Sequence, residues 1–209
     1  MPRAPRSRFY DGRSYARFID PFVAGLHRIV ADQIEPGSKV LDVGCGTGNL
    51  ALRVAPEASE VVGVELSPAM AEFATRRLNE STSNVSVVVG DVTEVLSDKP
   101  DGYFDVATMV LVLHEMPAET REPVLREVTR VARRLLCLEY RVPMPRNLPG
   151  IRNRVAEALA GVEHFRAFRD FNRRGGASGV AEACGLAYDN VRYPDKGTFD
   201  LSVITAKRR

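Results

Sequence analysis

The spacing of apolar and polar positions changes regularly along this chain. Short apolar runs, which predict buried strands, alternate with stretches whose apolar residues recur every three or four positions, which predict helices. Strands are predicted at 39–43, 60–65, 85–90, within 104–116 and at 135–140, and helices at about 20–35, 49–55, 67–80 and 119–133. Such an alternation places the strands in one parallel sheet with right-handed crossovers.

The end of the chain breaks this alternation. Residues 186–193 and 199–206 both predict strands, and only residues 194–198 join them. A parallel crossover needs about a dozen residues, so the last strand has to return antiparallel as a hairpin. The predicted fold is therefore α/β: a Rossmann-like, doubly wound, seven-stranded sheet that is mostly parallel with an antiparallel last strand.

The length of 209 residues suits a single domain over 1–209. Two segments fall outside the alternation. Residues 1–17 are expected to form a mobile N-terminal segment or lid, and residues 147–176 a helical insertion over the substrate side. The net charge of +2 demands no polyanionic partner, so no nucleic acid is expected, and the oligomeric state stays open.

Cysteine use and hydropathy bear on the compartment. Three widely spaced cysteines in apolar surroundings, Cys45, Cys137 and Cys184, indicate reduced core residues and a cytoplasmic protein. The sequence contains neither a C-x-x-C pair nor a Cys/His cluster, so it predicts no metal site. No apolar run reaches about 20 residues and none follows the basic start, so neither a membrane span nor a signal peptide is expected.

Residues 39–50 contain the first candidate site. An apolar strand runs into Gly44, Gly46 and Gly48, and a helix is predicted after them. A turn without Cβ atoms lets a ligand lie against the backbone, although such turns also occur for structural reasons alone. The spacing G-x-G-x-G departs from the dinucleotide pattern G-x-G-x-x-G. Asp42 favours a cationic, amino-acid-bearing cofactor, because a carboxylate repels a pyrophosphate but suits an ammonium group.

Two further acids end the next two predicted strands. At Glu65 a carboxylate can accept hydrogen bonds from both ribose hydroxyls, and at Asp91 an acid can accept one from an adenine amino group. Each acid alone is open to a capping or surface role. Three acids at the ends of three successive strands, behind a glycine turn, are hard to explain in that way.

These motifs resemble those of the class I S-adenosylmethionine-dependent methyltransferases. The matching segments are the first motif LDVGCGTG at 41–48, the ribose-binding VGVELS at 62–67, the adenine-binding GDV at 90–92, and the fourth strand with its loop at 104–116. The resemblance covers about residues 35–140 and is strongest to small-molecule enzymes related to the ubiquinone/menaquinone C-methyltransferases. It implies S-adenosylmethionine as cofactor and a small-molecule acceptor. The implied cofactor-binding residues are Asp42, Gly44, Cys45, Gly46, Gly48, Glu65, Leu66, Asp91, Val92 and Val110.

The acceptor is expected over the fourth and fifth strands, with wall candidates in 110–116 and 139–141. His114 and His164 are the candidate catalytic residues. Each is open to two roles, a general base for an O–H or N–H nucleophile or a hydrogen-bonded residue of the wall. Many methyl transfers need no base, because the sulfonium is already activated.

The insertion also contains an aromatic stripe. Phe165, Phe168 and Phe171 recur every three residues, which favours a core stripe over an aromatic substrate wall. The arginines within 166–173 lie on another helix face and favour a solvated surface over an anion site.

The predicted function is methyl transfer from S-adenosylmethionine to a small organic acceptor with an oxygen, nitrogen or carbon nucleophile. Two alternatives stay open: an aminopropyl transferase of the same fold, and a non-catalytic regulatory protein that binds S-adenosylmethionine. No Asn-Pro-Pro-Tyr or Asp-Pro-Pro-Tyr segment is present, which disfavours amino methylation of adenine or glutamine. No Pro-Cys follows the fourth strand, which disfavours the cysteine route to 5-methylpyrimidines.

Overall fold

A computed structural model gives the fold and describes residues 12–79, 83–191 and 197–207. The strands are β1 (Lys39–Val43), β2 (Glu60–Glu65), β3 (Val85–Val89), β4 (Val106–Val110), β5 (Leu135–Tyr140), β6 (Ala187–Val191) and β7 (Phe199–Thr205). The helices are α1 (Gly12–Phe18), α2 (Asp20–Ala31), α3 (Asn49–Val54), α4 (Pro68–Asn79), α5 (Val92–Val95), α6 (Ala118–Val131), α7 (Leu148–Leu159), α8 (Val162–Arg173) and α9 (Gly176–Ala183).

The strands form one seven-stranded sheet in the order β3-β2-β1-β4-β5-β7-β6. Strands β1 to β5 pair in parallel, and β7 pairs antiparallel with both β5 and β6. The predicted fold class and the closing hairpin are therefore confirmed. Most of the predicted hairpin turn lies outside the described residues, which resume at Gly197.

The central strands β1, β2, β4 and β5 are buried on both faces, which explains why they read as continuous apolar runs. Neighbouring strand residues point to opposite faces: Val40 packs with α2, α3 and α4, whereas Leu41 packs with α5, α6 and α9. In β5, Leu136 packs on the same face as Val40, and Leu135 packs on the same face as Leu41. Two hydrophobic layers thus fix the sheet and leave its carboxyl edge free for a site.

The first described residues form a helix that the sequence analysis does not assign. Helix α1 packs against α2 and α4, and Gly12 lies so close to Phe73 that an added Cβ would be 2.3 Å from the Cβ of Phe73. Residues 1–11 of the expected N-terminal segment, with Tyr10 and Asp11, lie outside the described residues. The part from Gly12 onward is therefore packed on the domain rather than loose.

The insertion between β5 and β6 is helical, as predicted, and consists of α7 and α8. Helix α9, which follows it, was missed by the sequence analysis because its sequence GASGVAEA has a low helix propensity. Burial of Val180 and Ala181 against the sheet stabilises this helix in spite of its glycines. Among the helices of the described residues, none combines the length and the apolarity needed to cross a bilayer.

Candidate active site

A cavity of about 720 Å³ opens at the carboxyl edge of the parallel strands. It lies where the strand order reverses between β1 and β4, the position at which open α/β sheets bind ligands. Its volume is in the range of sites for small molecules and cofactors. The strand ends and the loops after them contribute Val43, Gly44, Gly46, Val64, Glu65, Leu66, Gly90, Asp91, Val92, Val110, Leu111, Val112, Glu115 and Met116.

The turn between β1 and α3 gives the cavity its backbone floor. Gly44, Gly46 and Gly48 have φ values of 69°, 56° and 77°, which L-residues with a side chain rarely adopt. A Cβ on Gly44 would also lie 2.8 Å from Cγ2 of Val112. Gly44 and Gly46 border the cavity, whereas Gly48 faces Leu78 and precedes the first turn of α3.

Glu65 ends β2 beside this turn. Its Oε2 accepts a hydrogen bond from the backbone N–H of Gly46 at 3.0 Å, and its Oε1 accepts one from the N–H of Ser67 at 2.8 Å. Burial raises the pKa of Glu65, and these backbone donors oppose the rise. Glu65 therefore holds the glycine turn in place and still borders the cavity with its carboxylate.

Asp42 lies behind the turn and does not border the cavity. Its Oδ1 accepts a hydrogen bond from the hydroxyl of Thr108 at 2.8 Å, while its buried Oδ2 has no hydrogen-bond partner among the described residues. Burial raises the pKa of Asp42 to about 7, against the lowering effect of Thr108. A buried acidic oxygen without a partner, two residues before Gly44, fits a cationic ligand group bound near the turn.

Cys45 also points away from the cavity. A Cβ at Gly63 of β2 would be 2.8 Å from its Sγ, so the thiol packs against the sheet, and burial raises its pKa well above the usual value. Cys45 therefore contributes its backbone, and not its side chain, to the turn. The remaining predicted cofactor residues Gly44, Gly46, Glu65, Leu66, Asp91, Val92 and Val110 all border the cavity.

Asp91 follows β3 and caps α5. Its Oδ1 accepts hydrogen bonds from the N–H of Thr93 at 2.9 Å and from the hydroxyl of Thr93 at 2.6 Å. This cap fixes the carboxylate at the cavity wall beside Val92. The capping role and the predicted binding role are thus compatible at one residue.

The two candidate histidines lie close together but differ in access to the cavity. His164 of α8 borders the cavity next to Glu115. His114 is only 2 % exposed and lies behind them, with its Nδ1 2.8 Å from Oε2 of Glu139. Oε2 of Glu157 is hydrogen-bonded to Nε2 of His164 and lies 3.6 Å from Nε2 of His114. Of the two histidines, His164 alone can touch an acceptor in this cavity.

The acids around the histidines set the charge of this region. Burial alone would lower the pKa of His114, but the charge and hydrogen bond of Glu139, with the charges of Glu157 and Glu115, raise it to about 9. Burial would raise the pKa of Glu157, but the hydrogen bond to His164 and the charge of His114 lower it.

Sequence analysis missed Glu157 and gave Glu139 only a place on the acceptor wall. The available signal for Glu157 was an acid on the buried face of the amphipathic α7, where Gly150 and Asn153 are also buried. An unpaired acid is rarely buried, so such a position predicts a partner.

Two expectations about the walls have different outcomes. Residues 139–141 do not border the main cavity. They line a second cavity of about 330 Å³ instead.

The core stripe is confirmed for Phe168 and Phe171, which are 4 % and 0 % exposed. Helix α8 presents to the cavity Glu163, His164, Arg166, Ala167, Asp170 and Arg173.

Arg121, also missed by sequence analysis, attaches α8 to the loop after β4. Its guanidinium is 1 % exposed and donates to the carbonyl oxygens of Leu113 at 3.1 Å and Ala167 at 2.7 Å, and to Oδ2 of Asp170 at 2.8 Å. One side chain thus fixes the loop that carries His114 against the helix that carries His164.

Replacing Arg121 by Ala should lower the free energy of unfolding by about 3 kcal/mol, because two carbonyl oxygens lose their donor and Asp170 keeps only the more exposed Arg173 and Arg174 as partners. Urea unfolding measures the change. Arg133→Ala is the matched control, since its ion pair with Asp105 is exposed and contributes at most about 1 kcal/mol. Equal losses in the two variants would show that Arg121 does not fix this loop.

Comparison with known proteins gives a family for the central part of the chain. Residues 40–134 match the profile of a family described as a methyltransferase domain. The demethylmenaquinone methyltransferase of Symbiobacterium thermophilum is 34 % identical over 134 residues, which are 60 % of this chain and 49 % of that protein. The ubiquinone/menaquinone biosynthesis C-methyltransferase of Paraburkholderia phymatum is 31 % identical over 137 residues, 61 % of this chain and 56 % of that protein. The chain thus spans about half the length of these curated relatives.

Solved structures show the same fold over nearly the whole chain. A SAM-dependent methyltransferase from Aquifex aeolicus superposes with a TM-score of 0.66 at 20 % identity, covering 94 % of this chain and 99 % of its own. Together, the family profile, the relatives and the fold support the resemblance: residues 40–134 match a methyltransferase domain, and the chain has the fold of the class I S-adenosylmethionine-dependent methyltransferases. The cofactor of that class is S-adenosylmethionine.

Proposed function

We propose that this protein transfers the methyl group of S-adenosylmethionine to a small organic acceptor bound in the same cavity. The observation that supports this most is the division of the cavity into two ends. One end has the glycine turn, Glu65 and Asp91, and the other has Glu115 and His164. A nucleoside cofactor fits the first end, which leaves the second for the acceptor.

At the cofactor end, each group has a partner of matching chemistry. Asp42 places its buried carboxylate behind the glycine turn, where its negative charge attracts the ammonium group of the methionine part. Glu65 accepts from the ribose hydroxyls. Asp91 and Val92 hold the adenine, the first by hydrogen bonding and the second by apolar contact.

When bound, the cofactor supplies a sulfonium-activated methyl group: the acceptor's lone pair forms the new bond to carbon while the S–CH₃ bond breaks and its electron pair stays on sulfur. The protein aligns the acceptor and excludes water, and alignment alone contributes up to about 7–11 kcal/mol. An O–H or N–H acceptor also has to lose a proton. Glu115 and His164 are two polar groups on the acceptor wall that can orient it.

The acceptor wall favours a compact, partly apolar molecule. Val112, Met116 and Val124 give it apolar surface, and Glu115 with His164 gives it a polar corner. The two relatives are named for methylation of demethylmenaquinone and for ubiquinone/menaquinone biosynthesis, which supports a small-molecule acceptor rather than a macromolecule. We assign His164 to the wall and His114 to its support, through Glu157 between them.

Product analysis tests this function against its alternatives. The protein is incubated with S-adenosylmethionine and a metabolite mixture, and S-adenosylhomocysteine is measured. Its formation only when the mixture is present supports methyl transfer. Formation of methylthioadenosine from decarboxylated S-adenosylmethionine would instead indicate aminopropyl transfer. Tight cofactor binding without any turnover would indicate a regulatory protein.

Helix α1 is proposed to cover the cavity through Tyr15, which borders it. Burial and the neighbouring charges of Glu115, Asp20, Glu65 and Glu157 raise the pKa of Tyr15, so its hydroxyl stays neutral. Tyr15→Ala should lower turnover about tenfold or more, because water exclusion and alignment act on the chemical step. Its affinity for S-adenosylhomocysteine should change much less.

The matched control for Tyr15 is Arg17→Ala, an exposed position on the same helix. Turnover and S-adenosylhomocysteine binding of both variants are compared by product formation and calorimetry. Parent-like turnover of the Tyr15 variant would show that α1 does not cover the cavity during the reaction.

A further inference from the structure

A cluster of side chains able to bind a metal lies at the acceptor end of the cavity. His114, Glu115 and His164 each present one ligand atom, and these three atoms lie within 4.8 Å of one another. Glu115 and His164 border the cavity, whereas His114 is buried behind them. The loop after β4 supplies two of the residues and α8 the third, so the fold brings together groups that are distant in sequence.

The imidazole of His114 is oriented as a ligand. Its Nδ1 is 2.8 Å from Oε2 of Glu139, and in the neutral tautomer that donates to this carboxylate Nε2 keeps its lone pair for a metal ion. A carboxylate behind the ring is the usual partner of a metal-binding histidine, because it fixes the tautomer and makes the other nitrogen more basic. Glu139 is itself held by the N–H of Leu113, which donates to its Oε1 at 2.7 Å.

Glu157 brings a second carboxylate to the same point. Its Oε2 contacts Nε2 of His164 and lies 3.6 Å from Nε2 of His114, so one oxygen lies between the two rings. Its Oε1 accepts a hydrogen bond from the hydroxyl of Tyr140 at 2.7 Å, which fixes the carboxylate. Two imidazole nitrogens with carboxylate oxygens suit a first-row divalent ion such as Zn²⁺, Mn²⁺ or Fe²⁺.

The charge of the cluster favours a cation. Glu115, Glu139 and Glu157 place three carboxylates against two imidazoles. The neighbouring guanidinium of Arg121 is engaged by Asp170 and by two backbone carbonyl oxygens. A divalent ion between the ligands would offset this acidic excess in a region of low dielectric.

We propose that His114, Glu115 and His164, with Glu157 as a fourth ligand, bind one divalent transition-metal ion. Because two of the ligands border the cavity, the ion would have a coordination position open toward the acceptor. An acceptor with a hydroxyl or carbonyl oxygen next to its nucleophile fits that position. Only this role toward the acceptor rests on the proposed function, since binding of the ion does not require methyl transfer.

Direct titration tests the site. The full chain is stripped of metal with a chelator and titrated with Zn²⁺ in a calorimeter and with Co²⁺ in a spectrophotometer. We expect one equivalent of metal per chain and visible absorption from bound Co²⁺. His164→Ala and the nearly isosteric Glu115→Gln should each lower the Zn²⁺ affinity at least about tenfold, and Glu139→Gln, which only supports His114, by about 10- to 100-fold.

The matched control is Glu119→Gln, an exposed acid in the first turn of α6, which should bind Zn²⁺ like the parent. Failure of the parent chain to bind either ion in stoichiometric amount would overturn the proposal. Parent-like Zn²⁺ affinity in both the His164 and Glu115 variants would also overturn it. The affinity for S-adenosylhomocysteine, measured on the same metal-free samples, reports the cofactor end separately, so the two proposals can fail independently.

Discussion

Glu65→Ala is expected to lower the affinity for S-adenosylhomocysteine by a factor of about 10² or more. The substitution removes the acceptor for two ribose hydroxyls, and each charged hydrogen bond contributes about 1.5–3 kcal/mol. It also removes the acceptor for the N–H groups of Gly46 and Ser67, so the glycine turn loses its support as well. Calorimetric titration measures the change.

The matched control for Glu65 is Glu60→Ala at the opposite end of the same strand. The carboxylate of Glu60 accepts from the hydroxyl of Tyr103, on the other edge of the sheet from the cavity. We expect parent-like affinity in this variant. An affinity of the Glu65 variant within a factor of about two of the parent would remove Glu65 from the site.

Asp42→Asn is expected to change stability and binding in opposite directions. Burial raises the pKa of Asp42 from 3.8 to about 7, so the folded state favours its protonated form. The shift therefore stabilises the folded state fully below pH 3.8. This stabilisation is lost as the pH rises through 7, and above that pH the ionised carboxylate lowers the free energy of unfolding by up to about 4 kcal/mol. The neutral Asn variant should therefore be more stable than the parent at pH 8.

The same substitution should weaken binding of S-adenosylhomocysteine at least about tenfold at pH 8, because the ammonium group loses its counter-charge. In the parent, affinity should fall as the pH drops below 7, since Asp42 then has to release its proton before it can pair with the cofactor. Thermal unfolding and calorimetry at pH 6 and pH 8 measure both effects.

Asp98→Asn, at an exposed position, is the control for the removal of one charge. A variant of Asp42 that is both destabilised at pH 8 and parent-like in binding would contradict the assignment of this residue.

The sequence locates the glycine turn and the strand-end acids Glu65 and Asp91 correctly, because these features are local patterns. Strand, glycine turn and terminal acid are contiguous, and parallel strands bring their carboxyl ends to one edge. The outcome at Asp42 and Cys45 shows the limit: spacing places them at the turn, but only packing shows that their side chains face the sheet.

The acceptor end was less predictable because its contacts join distant segments. His114 and Glu139 are 25 residues apart, and Arg121 and Asp170 are 49 apart. No spacing rule connects such pairs. Pattern analysis therefore finds both histidines but not the acid between them, and spacing alone does not show that the fold brings His114, Glu115 and His164 together.

The most direct test of this account is a crystal structure of the protein with S-adenosylhomocysteine. The account predicts ribose hydroxyls on the carboxylate of Glu65, adenine beside Asp91 and Val92, and the sulfur facing the part of the cavity bordered by Glu115 and His164. A ligand bound outside this cavity, or one whose sulfur is turned away from Glu115 and His164, would contradict it.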